Sequence, residues 1–167
     1  MKLAIDVFYY EQKAKIVGVL FERSTDIMPM DIITKVIPCT AEYEPGAFYK
    51  RELPCILSLL EEVDLKTLDC IIIDGYVYLD SNRKKGLGGY LYEVLVDKLP
   101  IIGIAKSYFF RDDSLVSEVL RGDSLKPLYV TAIGMELKDA SVFVQSMNGK
   151  YRMPTLLQIM DTETKKI

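Results

Sequence analysis

Histidine is absent from all 167 residues. Its absence removes the commonest general base and the commonest transition-metal ligand. No Ser–His–Asp triad and no histidine-bearing zinc site can be assembled. Cysteine is scarce: there are three, Cys39, Cys55 and Cys70, an odd number without the close spacing of a metal site. Each lies in an apolar segment, where a thiol reads as a small buried hydrophobe. No apolar run approaches the roughly 20 residues that span a bilayer. Asp6 interrupts the stretch where a signal peptide needs its apolar region. A cytoplasmic chain with no membrane partner is the expectation; oligomeric state is not legible. Bulk positive charge is lacking too, with 21 Lys and Arg against 24 Asp and Glu and a net charge of −3. That disfavours holding nucleic acid by overall charge and leaves only a local basic stripe for the purpose. Internal repeats, low-complexity segments and Gly/Ser/Pro linkers are also missing. Any catalysis therefore falls to carboxylates, lysines, tyrosines or a hard metal ion.

What is present is a globular composition, half hydrophobic and 27% charged. The length suits one domain covering 1–167. Three β-branched and aromatic stretches, 2–10, 13–23 and 31–39, read as strands of an antiparallel meander, the first two joined by a tight turn at Glu11–Gln12. Ile56, Leu59, Leu60 and Val63 then recur at helical spacing within 51–63. Pro54 places the regular start of that helix near Glu52. A fourth strand, "CIII", a glycine-rich helix over 86–99 and a fifth strand over 100–109 follow. The stretch 114–124 fits an edge hairpin, 125–135 is strand-like, and helices are predicted over 136–147 and 153–166 with "NGK" as the break. The order predicts an α/β fold: a central mixed sheet of five to six strands flanked by helices, which is the layout of the ribonuclease H-like fold.

Three carboxylates stand out within it. Asp6 lies inside the apolar first strand, where Asp is disfavoured and costly to bury. Asp74 closes the isoleucine strand, and Glu52 opens a helix just before its apolar stripe. Singly, each has a bland reading: a solvent-facing strand residue, a turn residue before Gly75, and a partner for the helix dipole. Together they differ, because the first and fourth strands are neighbours in a ribonuclease H-like sheet and would present Asp6 beside Asp74. Clustered carboxylates repel, and a divalent cation resolves the conflict. Mg²⁺ or Mn²⁺ prefers hard oxygen ligands and binds phosphate oxygens.

Three stretches carry a family resemblance. They are "YEPGAFYKRELPCILSLLEE", "CIIIDGYVYLDSNRKKGLGGYLYEVLVDKLPIIGIAKS", and "LKPLYVTAIGMELKDASVFVQ" with "YRMPTLLQIMD". In order and spacing they resemble the endonuclease V family, Mg²⁺-dependent enzymes that cleave DNA or RNA near deaminated purines, chiefly inosine. The resemblance implies metal-binding and catalytic roles for Asp6, Glu52 and Asp74. It implies that Lys106 stands near the scissile phosphate; the bland alternative is a strand-end lysine in solvent. It implies a wedge at Tyr43 and Pro45, with Gly46 and Gly75 in the base pocket; the alternative is an ordinary turn. The basic stretches Arg83–Lys85 and Lys150–Arg152 fit a backbone path or solvated loops.

The pattern departs from the family in places. Tyr76, Val77 and Tyr78 follow Asp74–Gly75 where a His or Asn is usual, the position of a family histidine falls near Ile133, and Glu44 stands where the wedge is usually apolar. Two functional readings follow from the resemblance: a metal-dependent endonuclease of DNA repair or RNA processing, or a nucleic-acid-binding protein that keeps the fold without the cut. An unrelated α/β domain is the third.

Overall fold

The computed structural model describes every residue except Gly46 and residues 110–112, with the backbone alone at Asp113. β1 (Lys2–Tyr10), β2 (Lys13–Phe21) and β3 (Asp31–Pro38) form the antiparallel meander. Glu11 and Gln12 both take positive φ, 46° and 61°, as a two-residue hairpin loop requires. β4 (Cys70–Asp74) lies parallel to β1, and β5 (Ile101–Ala105) parallel to β4. β6 (Ser117–Val119) and β7 (Leu128–Ile133) complete a seven-stranded sheet in the order β3-β2-β1-β4-β5-β7-β6. The expected count of five to six thus becomes seven, because the strand-like segment and the ambiguous one before it both join the far edge. β4 and β5 are continuously apolar because helices cover both faces of the sheet there.

The helices are α1 (Phe48–Leu60), α2 (Leu87–Val94), α3 (Leu137–Ser146) and α4 (Thr155–Thr164). α1 and α2 close a core with Leu3, Ile5, Ile71 and Ile73. α3 and α4 close another with Ala4, Ile72, Ile102 and Ile104 on the opposite face. Strand residues alternate between these cores as the pleat requires. Helix α1 begins four residues before the expected start, so Pro54 stands inside it rather than in its first turn. Pro54 is on the exposed side, where water can satisfy the carbonyl its missing N–H leaves open. Cys55 and Cys70 are buried and Cys39 half-buried, all three as free thiols.

The turn after Asp74 is held from several sides. Gly75 has φ +138°, a conformation that L side chains rarely adopt. The Val77 N–H donates to the buried Thr131 hydroxyl at 2.8 Å. The amides of Gly86 and Gly89 donate to the Val77 carbonyl at 2.9 and 3.1 Å. A Cβ at Gly103 would stand 2.5 Å from the Gly75 carbonyl oxygen and 2.7 Å from the Thr131 hydroxyl. Gly103→Ala is therefore expected to lower stability by about 1–3 kcal/mol, the usual cost of overpacking. A shift of the urea midpoint to lower concentration checks this; an unchanged midpoint would show that the turn gives way freely.

The joint between α3 and α4 is fixed by Arg121, whose side chain is fully buried. Its guanidinium donates to the carbonyls of Val144, Met147, Gly149, Tyr151 and Arg152. A buried cation satisfied entirely by backbone carbonyls sets the point from which α4 starts across the sheet.

Candidate functional site

The register that pairs Ile5 with Ile73 brings Asp6 beside Asp74, one residue further along two parallel strands. Both follow the alternation of the α3/α4 face. Asp74 is opposite Ile104 of β5, and Lys106 lies two residues beyond Ile104 on the same side. These residues line a cavity of about 30 Å³, together with Asp161 and apolar side chains of α4. That is room for little more than one ion or one water. Glu52 comes from the other face: it is buried on α1 beside Tyr9, whose hydroxyl lies 3.9 Å from the Cys55 thiol. The Arg51 guanidinium carbon lies over the Tyr9 ring at 3.5 Å from its centroid, so the tyrosine is clamped beside Glu52.

The electrostatics are those of acids crowded together, with Lys106 the nearby positive charge at Asp6 and Asp74. Burial, then the Asp74 charge, raises the Asp6 carboxyl from 3.8 to about 6, with the nearby Lys106 pulling the other way. Burial raises Glu52 from 4.5 to about 8, opposed by the Tyr9 hydrogen bond and reinforced by the charges of Asp6 and Asp74. Asp74 is raised by burial and lowered by Lys106. Its carboxylate meets solvent in front and densely packed protein behind. Desolvation outweighs the single lysine at both aspartates.

Asp161 escaped the sequence reading. It stands on α4 one turn after Leu157, and both line the cavity. Its outer oxygen pairs with Lys165 at 3.0 Å. The available signal was a carboxylate at the border of the apolar stripe Leu157–Met160, which in an amphipathic helix passes for ordinary surface. Ile133, the approximate position of the family histidine, packs instead against the α1/α2 core. The fourth acid at this end of the sheet thus comes from α4.

Among the described residues, no three His, Cys, Asp or Glu side chains are gathered closely enough to hold a metal ion as they stand. The donor set still suits a hard divalent cation. It is all oxygen, carried on two neighbouring strands and two helices, and its charges repel one another. Rotation of the carboxylate side chains is the movement that binding would ask of it.

A second cavity, of about 550 Å³, opens beside the first and shares Asp74 and Lys106 with it. Gly75 lies on its floor and Tyr43 on its wall. Pro45 is exposed and does not line it. The turn around Pro45 is closed by the Ala47 N–H donating to the Glu44 carbonyl at 3.0 Å. Gly46 lies outside the described residues. The basic stretches are partly committed elsewhere. Lys85 pairs with Glu93, and Arg152 donates to the carbonyls of Pro127, at 3.1 Å through Nε, and Lys106. Arg152 thereby ties the end of β5 to the start of β7 rather than pointing to solvent as a free cation.

A seven-stranded ribonuclease H-like sheet with carboxylates gathered at the ends of its central parallel strands defines the class. The chain belongs to the endonuclease V family, whose model matches residues 3–162. It is 30% identical over 143 residues to endonuclease V of Nostoc punctiforme, covering 74% of this chain and 63% of that protein. It is 32% identical over 138 residues to that of Rippkaea orientalis, covering 71% and 58%. The matches thus span 63% or less of these relatives' own length. Among solved structures, Ciona intestinalis endonuclease V, in complex with a DNA containing an inosine followed by a ribo-adenosine, aligns with TM-score 0.81 at 18% identity. That alignment covers 98% of this chain and 84% of the other. Human endonuclease V aligns with TM-score 0.74 at 21% identity, covering 98% and 82%. The reading as an unrelated α/β domain is overturned by the family match. No helix among the described residues is long and apolar enough to cross a membrane.

Proposed function

We propose that this chain is a divalent-metal-dependent endonuclease that hydrolyses a phosphodiester bond in DNA or RNA near a deaminated base, inosine foremost. The observation that supports it best is the small cavity in which Asp6, Asp74, Asp161 and Lys106 meet. Asp6, Asp74 and Asp161 are the side chains that would hold Mg²⁺ or Mn²⁺, with Glu52 reaching the same region from α1. When bound, such an ion polarises a phosphoryl oxygen and makes water a better nucleophile at neutral pH.

The chain's own residues supply the rest. Lys106 is exposed between the two cavities, so its ammonium can offset charge that develops on the phosphate. Glu52, half-protonated near pH 8 in the metal-free state, is held by its burial on α1 and is positioned to hold or release a proton. Gly75 leaves the floor of the larger cavity free of side chain, so backbone groups can approach a base edge. Tyr43 is the aromatic side chain that can replace a stacking partner for a base leaving its helix. Membership of the family and the likeness to the Ciona intestinalis complex support nucleic acid as the partner.

The test is nicking of a labelled oligonucleotide carrying a single deoxyinosine, and of its inosine-containing RNA counterpart, in Mg²⁺ or Mn²⁺. Cleavage confined to the neighbourhood of the lesion and abolished by EDTA is the expected result. A folded protein that binds both strands and cuts neither would replace this reading with that of a non-cleaving nucleic-acid binder.

A further inference from the structure

Asp161 reaches the carboxylate cavity from α4, so its place there depends on how α4 is held over the sheet. The chain entering α4 is held by Arg121. The end of α4 is held by a second buried cation. Lys15, on β2, is buried, and its ammonium donates to the carbonyl of Glu163 at 2.7 Å and to that of Lys166.

A buried lysine at this point asks for a reason. Taking an ammonium out of water is costly, and an apolar side chain would pack against a helix without that cost. What the ammonium adds is direction. The last carbonyls of a helix lack intrahelical donors and carry the negative end of its dipole. Lys15 answers one of them, at Glu163, and a second carbonyl beyond the helix end, at Lys166. Two such bonds fix both the height and the rotation of the last turn. Thr164, also buried, ties the same turn from within by donating its hydroxyl to the Asp161 carbonyl at 2.6 Å.

The register shows what this anchor governs. Lys15 is opposite Phe8 on β1, and Val17, next on the same face of β2, is opposite Asp6. Asp161 stands on α4 just before Glu163 and within the same turn. Lys15 therefore grips α4 within one step of the pleat from Asp6 and within one turn of Asp161. Burial first, and then neighbouring charges with that of Asp161 among them, raise the carboxyls of Asp6 and Asp74. The three acids thus share one electrostatic field, and a shift of the last turn of α4 changes it.

We propose that Lys15 is a positioning residue of the cation site: by fixing the last turn of α4 it holds Asp161 where it can share a divalent cation with Asp6 and Asp74. The proposal rests on the metal reading above and gives that site a support that touches neither substrate nor metal. Outer groups that orient a ligand commonly carry about ten- to a hundredfold of metal affinity. Lys15 acts through the backbone of one helical turn, and about tenfold is expected of it, the lower end of that range.

Titration of the whole chain with Mn²⁺, the free ion followed by electron paramagnetic resonance and no nucleic acid present, tests this. Lys15→Met keeps the stem and removes the donor; it should weaken Mn²⁺ binding about tenfold. Asp161→Asn should weaken it at least as much. In the doubly substituted protein the two losses should not add, because an anchor has nothing to place once its ligand is gone. Lys15→Arg keeps a cationic donor and should restore most of the affinity. Thermal unfolding without metal shows that each variant is folded, and Lys15→Gln, which keeps N–H donors without the charge, takes the place of Lys15→Met if that variant does not fold. A Lys15→Met protein that loses thermal stability and keeps its Mn²⁺ affinity overturns the proposal: the lysine would then be a helix cap and nothing more. Losses that add in full in the double variant overturn it too, as does Asp161→Asn without effect. Each of these results leaves the nuclease reading intact. Wild type that binds no Mn²⁺, together with failure to nick inosine substrates, overturns both.

Discussion

Asp74→Asn is expected to lower nicking of a deoxyinosine oligonucleotide about a hundred- to thousandfold while making the metal-free protein more stable. The two effects have one cause. Asp74 ends β4, lines both cavities, and contributes its charge to the raised carboxyls of Asp6 and Glu52. Asparagine keeps the shape of the side chain and removes the charge. The protein then loses an anionic oxygen that a cation needs, and losses of one preorganised electrostatic group are commonly of this size. In EDTA the same change relieves repulsion among buried acids. The midpoint of thermal unfolding should rise by about 2–4 °C, the shift that about 1 kcal/mol produces in a chain of this length. Wild type should gain stability when Mg²⁺ is added, because binding to the folded state alone is stabilising. The variant should lose most of that gain. Retained cleavage, or a lower midpoint in EDTA beside an undiminished Mg²⁺ shift, would mean that Asp74 is a turn residue and no ligand.

Much of this site could be read before the fold was known, and for a physical reason. Asp6 and Asp74 interrupt strands that are otherwise apolar, so their cost is visible without coordinates. Their adjacency needed only the order of elements, which the β1–β4 register bears out. Glu52 was legible for the wrong reason. It is not at a helix start, where the dipole would favour it. It stands in the second turn, buried against Tyr9. Asp161 was illegible because an acidic residue at the edge of an amphipathic stripe costs nothing in isolation. Only the crossing of α4 over the sheet, set by Arg121 and the chain it holds, makes it a neighbour of Asp6. The lining that Tyr108 and Phe109 give the larger cavity was hidden by the expectation of a strand through 100–109. β5 ends at Ala105, where pairing with Tyr129 ends. Arg152 takes the next carbonyl, at Lys106, and the chain turns away with Tyr108 and Phe109. Strand propensity cannot see the loss of a pairing partner.

The metal-free protein is expected to lose stability steadily as pH rises from about 4 to 8, with Mg²⁺ restoring more of it at pH 8 than at pH 5. Asp6 and Glu52 hold their protons in the fold up to about 6 and about 8, against ordinary values of 3.8 and 4.5 when unfolded. Between those limits the folded chain binds more protons than the unfolded one, so unfolding releases protons and rising pH favours it. The contribution of these groups is complete below the unfolded values and gone above the folded ones. A carboxyl that keeps its proton to a tenfold lower proton concentration in the fold contributes about 1.4 kcal/mol. Solvent screening and the dependence of each acid on the other's charge reduce the sum, and the span amounts to on the order of 5 kcal/mol. A bound cation reverses the preference, because it needs the ionised carboxylates that the empty site suppresses. Its stabilising effect should therefore grow over the same interval, and nicking should climb with pH and level off near 8. Thermal midpoints at pH 5, 6.5 and 8, in EDTA and in excess Mg²⁺, measure both halves. Glu52→Gln should flatten the upper part of the EDTA profile, and Asp6→Asn the lower part. A midpoint in EDTA that is flat or rising across the interval would show that these carboxylates are ionised at no cost. The crowding that makes the site a cation's site would then be missing.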